Sequence, residues 1–244
     1  MEIHFVIHEA FEGKGYLEQW IEERGYICSH TLLYLGESLP SKPFDFDCLI
    51  VLGGPQSPST SNKEYSYFDS EAEQLLISNS ILENKAVVGI CLGAQLIGQA
   101  LGAKYEKSPE REIGYFPIQL TNEGQNDELF SDFNLSELVG HWHNDMPGLT
   151  ESAKILAISA GCPRQIIRYS ELVYGFQCHL EFIKKDLPLL IKHSGNDFSI
   201  QNNSRFIQDK SEILKISTIK MNKLLGKFMD NLMMAYSNSR IADN

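Results

Sequence analysis

The sequence predicts an α/β protein: an open, mostly parallel sheet with helices on both faces, a small antiparallel extension and a helical C-terminal tail. Three observations carry that expectation. Apolar runs of strand length alternate with segments of helical spacing through the first hundred residues, and several of those runs are apolar at every position. From residue 114 to 177 the texture changes to short strands with few helices. Runs that are apolar on both sides belong to strands covered by helices above and below, and strand–helix–strand repetition joins them through right-handed crossovers.

Taken in order, residues 3–7 read as a strand and 16–24 as a short helix stopped by Gly25. Residues 26–33 and 48–52 follow as strands, the second running into Gly53-Gly54-Pro55. Residues 70–83 carry Ala72, Leu75, Leu76, Ile81 and Leu82 at helical spacing, and 86–90 form a buried strand. The later strands are expected at 115–120, 138–142, 155–158, 165–169 and 173–178, the last returning to the main sheet. After about residue 195 a polar stretch, GNDFSIQNNS, reads as a linker or the loose start of a helix. Met221, Leu224, Leu225, Phe228, Leu232 and Ala235 then mark one stripe of an amphipathic helix, packed on the domain or used as a subunit contact. The expected division is a domain over 1–195 and a C-terminal helical extension over 196–244.

Composition narrows the function. Lysine plus arginine total 21 against 32 acidic residues, a net charge of -11 over 244 residues. Nucleic acid and anionic membranes both call for a basic face, so neither is expected as a partner. No window approaches the roughly 18 consecutive apolar residues of a membrane span. The N-terminal run is interrupted by Glu2, His4 and His8 and does not read as a signal peptide. Five cysteines, odd in number and without a CxxC pair, read as reduced thiols of a cytoplasmic protein.

One of those cysteines is placed for chemistry. In AVVGICLGAQLIG, residues 86–98, a buried strand meets a helix at Gly89-Ile90-Cys91-Leu92-Gly93. Small residues two before and two after a central nucleophile permit the sharp strand-to-helix turn that holds its side chain out at the carboxyl edge of a sheet. The helix N-terminus favours thiolate over thiol. A cysteine nucleophile needs a base, and the base an orienter. His179 and Glu181 stand two apart at the end of the last predicted strand, so both project to one side. Donors for a developing oxyanion are expected from the N–H of Leu92 and from the Gly53-Gly54-Pro55-Gln56-Ser57 loop.

With these pieces assembled, the chain resembles a class I (triad) glutamine amidotransferase domain, nearest to the glutaminase part of GMP synthetase and its stand-alone relatives. The family's G-[IV]-C-x-G-x-Q is met by Gly89, Ile90, Cys91, Gly93 and Gln95, its G-G-P-x-S by Gly53 to Ser57, and its Q-x-H-x-E by Gln177, His179 and Glu181. The likeness spans roughly residues 1 to 193 and implies a flavodoxin-like fold. It implies Cys91 as nucleophile, His179 as base and then acid, Glu181 as orienter, and the N–H groups of Gly54 and Leu92 for the oxyanion. Gln95 holds the glutamine, beside Gly53. A further segment, Gly140-His141-Trp142-His143-Asn144-Asp145, aligns with the stretch that holds the substrate's α-amino and α-carboxylate groups, so Trp142, His143, Asn144 and Asp145 are expected contacts. Asn144 stands where the family has glycine, and Leu180 where it commonly has proline.

The implied reaction is attack on a γ-amide, a γ-glutamyl thioester and release of ammonia, with neither organic cofactor nor metal. The expected partners are the small-molecule substrate and a separate ammonia-accepting synthetase subunit. Three rivals remain open at this point: a hydrolase of γ-glutamyl peptides, a non-catalytic binding or regulatory module, and a metal site in which His141 and His143 are joined by Cys91, His179 and Glu181.

Overall fold

A computed structural model describes residues 1–41, 45–195, 198 and 205–242. The strands are β1 (Glu2–Ile7), β2 (Ile27–Leu32), β3 (Cys48–Val51), β4 (Ala86–Ile90), β5 (Glu106–Leu120), β6 (Ser136–Met146), β7 (Lys154–Ser159), β8 (Ile166–Ser170) and β9 (Val173–Phe176). The helices are α1 (Tyr16–Arg24), α2 (Ser70–Leu82), α3 (Leu92–Ala100), α5 (Leu187–His193) and α7 (Ile219–Ala242), with one-turn pieces α4 (Asn122–Gln125) and α6 (Lys210–Ile213). The strands form one nine-stranded sheet in the order β2-β1-β3-β4-β9-β8-β7-β5-β6. Its first five members are parallel, and from β9 onward each pairing is antiparallel.

Alternation along the central strands divides the core between the two faces. Ile3, Phe5, Ile7, Ile50, Val88 and Ile90 pack with Leu17, Trp20 and Ile21 of α1. Val6, Leu49, Val51 and Val87 pack with Leu76 and Ile77 of α2 and Leu92, Leu96 and Ile97 of α3. Local signals fix the ends of these helices. Asp69 caps α2 by accepting from the N–H groups of Glu71 and Ala72 at 3.1 and 3.0 Å, and Gly25 closes α1 in the left-handed region.

Helix α7 lies in the first of these cores, where Met221, Leu224, Leu225, Phe228 and Leu232 are all buried. Phe228 meets Phe130, Tyr174 and Phe176 with ring centroids 5.2, 5.2 and 4.8 Å apart. Asp230 binds the α1 residues Trp20 and Arg24 at 2.9 and 2.7 Å. Phe228→Ala is therefore expected to cost about 3–5 kcal/mol in a urea-unfolding measurement, the range for emptying a buried aromatic site. The polar stretch GNDFSIQNNS, 195–204, falls, apart from residues 195 and 198, outside the described residues.

The antiparallel strands extend the parallel sheet, as expected, with β9 lying beside β4. Two features depart from the sequence expectation. β5 begins at Glu106, not 115, because its first half, EKSPERE, is polar and carries a register irregularity between Lys107 and Glu112. Helix α5 was not expected at all; it starts with Asp186, Leu187 and Pro188 at its N-terminus and has no long apolar stripe. No described helix is long and apolar enough to cross a membrane.

Because β1 pairs with β2 on one side and β3 on the other, the chain reverses its direction of travel across the sheet between them. Ligands in open parallel sheets bind outside the carboxyl ends of the strands at such a point. The segments leaving β1, β3, β4 and β9 all emerge at that edge.

Candidate active site

The turn from β4 into α3 is dictated by two glycines. A β-carbon on Gly89 would lie 2.4 Å from the carbonyl of Gly93, and one on Gly93 would lie 2.0 Å from the Val51 carbonyl oxygen, so neither position has space for a side chain. Cys91 between them takes φ 52° and ψ −106°, one of two positive-φ non-glycine residues among those described. Such a conformation costs on the order of 1–3 kcal/mol and persists only where its surroundings enforce it. Here the Cys91 N–H is tied to the Phe176 carbonyl at 2.7 Å. The sulfur is held at the N-terminus of α3, where the first N–H groups, Leu92 included, have no acceptor within the helix. The Gln177 amide donates toward Sγ from 3.4 Å, and the Trp142 carbonyl lies 3.8 Å from it.

His179 follows β9 and is fixed by a reciprocal pair of backbone bonds with Gly140 of β6, at 2.7 and 3.0 Å. Its Nδ1 is 2.6 Å from Glu181 Oε1, and its ring stacks on Phe182 with centroids 4.1 Å apart. A donated Nδ1–H leaves Nε2 buried without a hydrogen-bond partner. Burial alone would lower the His179 pKa, but the charge of Glu181 and the interaction with the Cys91 sulfur raise it to about 10. The point occupied by a β-carbon on Gly53 would be 3.4 Å from Cys91 Cβ and 3.5 Å from His179 Cε1. Sulfur-bearing and imidazole side chains thus converge on the first glycine of the β3 loop.

The segment carrying Glu181 is secured from behind at three successive carbonyls. Tyr16 N donates to the Glu181 carbonyl at 2.8 Å. Asn222 of α7 donates to the carbonyls of Leu180 and Phe182 at 2.7 and 2.9 Å. Asn222→Ala leaves both without that donor, and is expected to cost about 1–3 kcal/mol in chemical denaturation.

The class-I glutamine amidotransferase family model matches residues 18–193, well over half of the chain. The chain belongs to that family. It is 49% identical over 237 residues to YfeJ of Salmonella typhimurium, a protein named as glutamine amidotransferase-like, covering 97% of this chain and 99% of that one. It is 30% identical over 163 residues to a GMP synthase of Aliivibrio fischeri, but spans only 29% of that protein. Among solved structures, SMU.1228c superposes with a TM-score of 0.94 at 45% identity, covering 96% of this chain and all of that one. A glutamine amidotransferase of Thermotoga maritima shares the fold at a TM-score of 0.83 and 20% identity.

An open cavity of about 570 Å³ lies over Cys91 and His179. Gly54, Gln95, Trp142, His143, Asn144 and Asp145 border it. Gln95 Nε2 donates to Gln177 at 3.0 Å, and its Oε1 is buried without a partner. Asn144 is exposed, and Asp145 is ion-paired with Lys107 at 2.8 Å. Gly53 is set back, its carbonyl turned toward His8.

The imidazole of His143 is drawn away from the cavity floor to Glu112, 3.2 Å distant, and His141 lies 3.5 Å from the same carboxylate. The two histidines are therefore joined by Glu112, not by Cys91, His179 and Glu181 as the metal rival required. The Gln165 amide and the Ser159 hydroxyl already donate to Glu112 at 2.6 and 2.8 Å. Burial lowers His141 to about 3, so its ring is neutral.

Sequence reasoning missed the segment after β1. Glu12 lines the cavity, and its carboxylate stands 2.6 Å from the β-carbon point on Gly53. Burial away from water, partly opposed by His179 and His8, raises its pKa to about 7 from an ordinary 4.5. An acid whose folded pKa is raised holds its proton in the native state after the unfolded chain has lost it. Stability contributed by this group is therefore lost as pH rises from about 4.5 to 7. Glu12→Gln is expected to leave the melting temperature unchanged at pH 4 and to raise it at pH 8, by a free energy on the order of a few kcal/mol. The available signal was the position itself, a carboxylate within five residues of a parallel strand's carboxyl end.

Proposed function

We propose that the chain hydrolyses the amide of glutamine or of another γ-glutamyl compound through a Cys91–His179–Glu181 triad, releasing ammonia from glutamine or the corresponding amine from the other compounds. The observation that carries this reading is the 2.6 Å His179–Glu181 pair facing a strained cysteine at a helix N-terminus. The Cys91 thiolate attacks the γ-carbonyl carbon, and the N–H groups of Leu92 and Gly54 receive the resulting oxyanion. His179, as imidazolium, gives its proton to the departing nitrogen, so that a γ-glutamyl thioester forms together with ammonia, or with the free amine when the substrate is a γ-glutamyl peptide. Neutral His179 then takes a proton from water as that water attacks the thioester, and glutamate leaves with the sulfur restored. Glu181 holds the tautomer and balances the imidazolium charge.

Gln95, Trp142, His143, Asn144 and Asp145, which border the cavity, contact the substrate in this reading, whereas Gly53, expected as a contact, does not line it. Released ammonia passes to a separate synthetase subunit, a role suggested by the relatives named glutamine-hydrolysing GMP synthases. The cavity favours a second substrate. At about 570 Å³ it falls among sites that take ligands of roughly 300–1,000 Å³, which leaves room beside a glutamyl group for the rest of a γ-glutamyl peptide.

An assay that reads ammonia from glutamine and asparagine, and free glutamate from glutamine and γ-glutamyl peptides, with and without cell extract, tests both. Turnover of γ-glutamyl compounds but not asparagine is expected. Silence across the γ-glutamyl set would overturn the reading. Cys178 is buried and hydrogen-bonded to the Gln165 carbonyl, so Cys178→Ala is expected to retain activity in the same assay.

A further inference from the structure

We infer that His8 and Glu73 act as a clamp that sets the direction of the Gly53–Gly54 peptide, and so keep the Gly54 N–H aimed at the reacting carbonyl. This rests on the function proposed above and adds positioning residues that the motifs do not contain. His8 lies before residue 18, outside the span matched by the family model.

The peptide between Gly53 and Gly54 has little resistance of its own to rotation. Glycine accepts φ of either sign, so a peptide flanked by two glycines can turn over at small cost. The structure supplies the resistance from outside. His8 Nδ1 donates to the Gly53 carbonyl at 3.0 Å, and His8 Nε2 donates to Glu73 Oε2 at 2.8 Å. Both side chains are fully buried, at 0% and 1% exposure. Burial alone would strip His8 of its charge, but Glu73 outweighs it and raises the pKa, which keeps both ring nitrogens as donors.

The direction follows from covalent geometry. The described peptides are all trans, and a trans peptide points its C=O and its N–H in opposite directions. With the Gly53 carbonyl held inward on His8, the Gly54 N–H faces the other way, toward the cavity that Gly54 lines and Gly53 does not. That N–H is not spent on a backbone carbonyl among the described residues. Under the peptide, His8 Cβ and Cγ would lie 3.0 and 3.2 Å from a β-carbon on Gly54, so the imidazole is also the floor on which the loop rests. The next residue of the β1 segment holds the loop's far end, for Glu9 accepts from Gln56 at 2.9 Å and from the Tyr67 hydroxyl.

The test compares His8→Ala and His8→Asn with wild type in three measurements. Asparagine can place an N–H near the position of Nδ1, whereas alanine cannot. In crystal structures, His8→Ala should show the Gly53 carbonyl released or turned, and His8→Asn should show it held. In ammonia release, His8→Ala should lower kcat by about 10²–10³-fold with KM little changed, the size of losing one oxyanion donor, and asparagine should recover most of that loss. Alkylation of Cys91 by iodoacetamide, which needs the sulfur and His179 but no oxyanion site, should proceed at the wild-type rate in both.

A His8→Ala structure with the carbonyl still inward, or a kcat equal to wild type, would overturn the clamp. So would loss of kcat together with loss of alkylation, with asparagine no better than alanine, since that pattern belongs to general disruption. A wild-type protein that turns over no γ-glutamyl compound sinks the proposed function separately, and the crystallographic comparison then decides the clamp.

Discussion

Cys91→Ala is expected to abolish ammonia release, lowering kcat by at least about 10⁴-fold, the scale seen when a nucleophile acting in concert with its base is removed. The physical reason is local. Cys91 is the side chain that the tight Gly89–Gly93 turn pushes to the carboxyl edge of the sheet, next to His179. The other cysteines have no such placement. Cys48, Cys162 and Cys178 are buried, with burial raising the thiol pKa of each, and Cys28 stands on edge strand β2. The loss should appear in kcat without unfolding, because alanine removes one sulfur atom and relieves none of the glycine contacts. A Cys91→Ala protein that releases ammonia at the wild-type rate would remove the nucleophile from the account.

Glu181→Gln is expected to have the second-largest effect, a fall in kcat of about 10³–10⁴-fold, the scale of losing the carboxylate that fixes a catalytic histidine. Glutamine keeps the shape and one acceptor oxygen but not the charge. In the wild type that charge, with the Cys91 interaction, lifts His179 to about 10 against the pull of burial. Without it, burial is less opposed and His179 loses its proton at lower pH than in the wild type. The sign is therefore definite. The variant holds an imidazolium beside Cys91 less firmly, so its iodoacetamide inactivation at pH 7 should be slower. A Cys91→Ala/Glu181→Gln double variant should be no worse than Cys91→Ala alone, because the two residues act as one unit. Equal pH–rate profiles for Glu181→Gln and wild type would contradict the assigned role.

The central sheet was legible because buried parallel strands are apolar throughout. Residues 86–90 and 16–24 were placed to the residue, and strands 3–7 and 48–52 to within one. The triad candidates were legible for a related reason: the glycines around Cys91 and the two-residue spacing of His179 and Glu181 are local facts. What stayed hidden is long-range. Nothing in EKSPERE announces a strand, since its pairing partner, β6, lies about thirty to forty residues away in sequence and supplies the register. The histidines at 141 and 143 gave a correct geometric cue, two rings near one another, but the group that joins them, Glu112, comes from a different strand. His8 and Glu12 sit in a short polar run after β1 whose importance depends on which loops the sheet order brings beside it. Asn222 is likewise an unremarkable helix residue until α7 is laid against the carbonyls of Leu180 and Phe182.

The most direct measurement is covalent labelling with a diazoketone analogue of glutamine, read by intact mass and peptide mapping. The account predicts one adduct per chain, on Cys91, slowed by competing substrate, slowed further in Glu181→Gln and absent in Cys91→Ala. Labelling that falls on Cys28 and spares Cys91, or that ignores substrate, would contradict it.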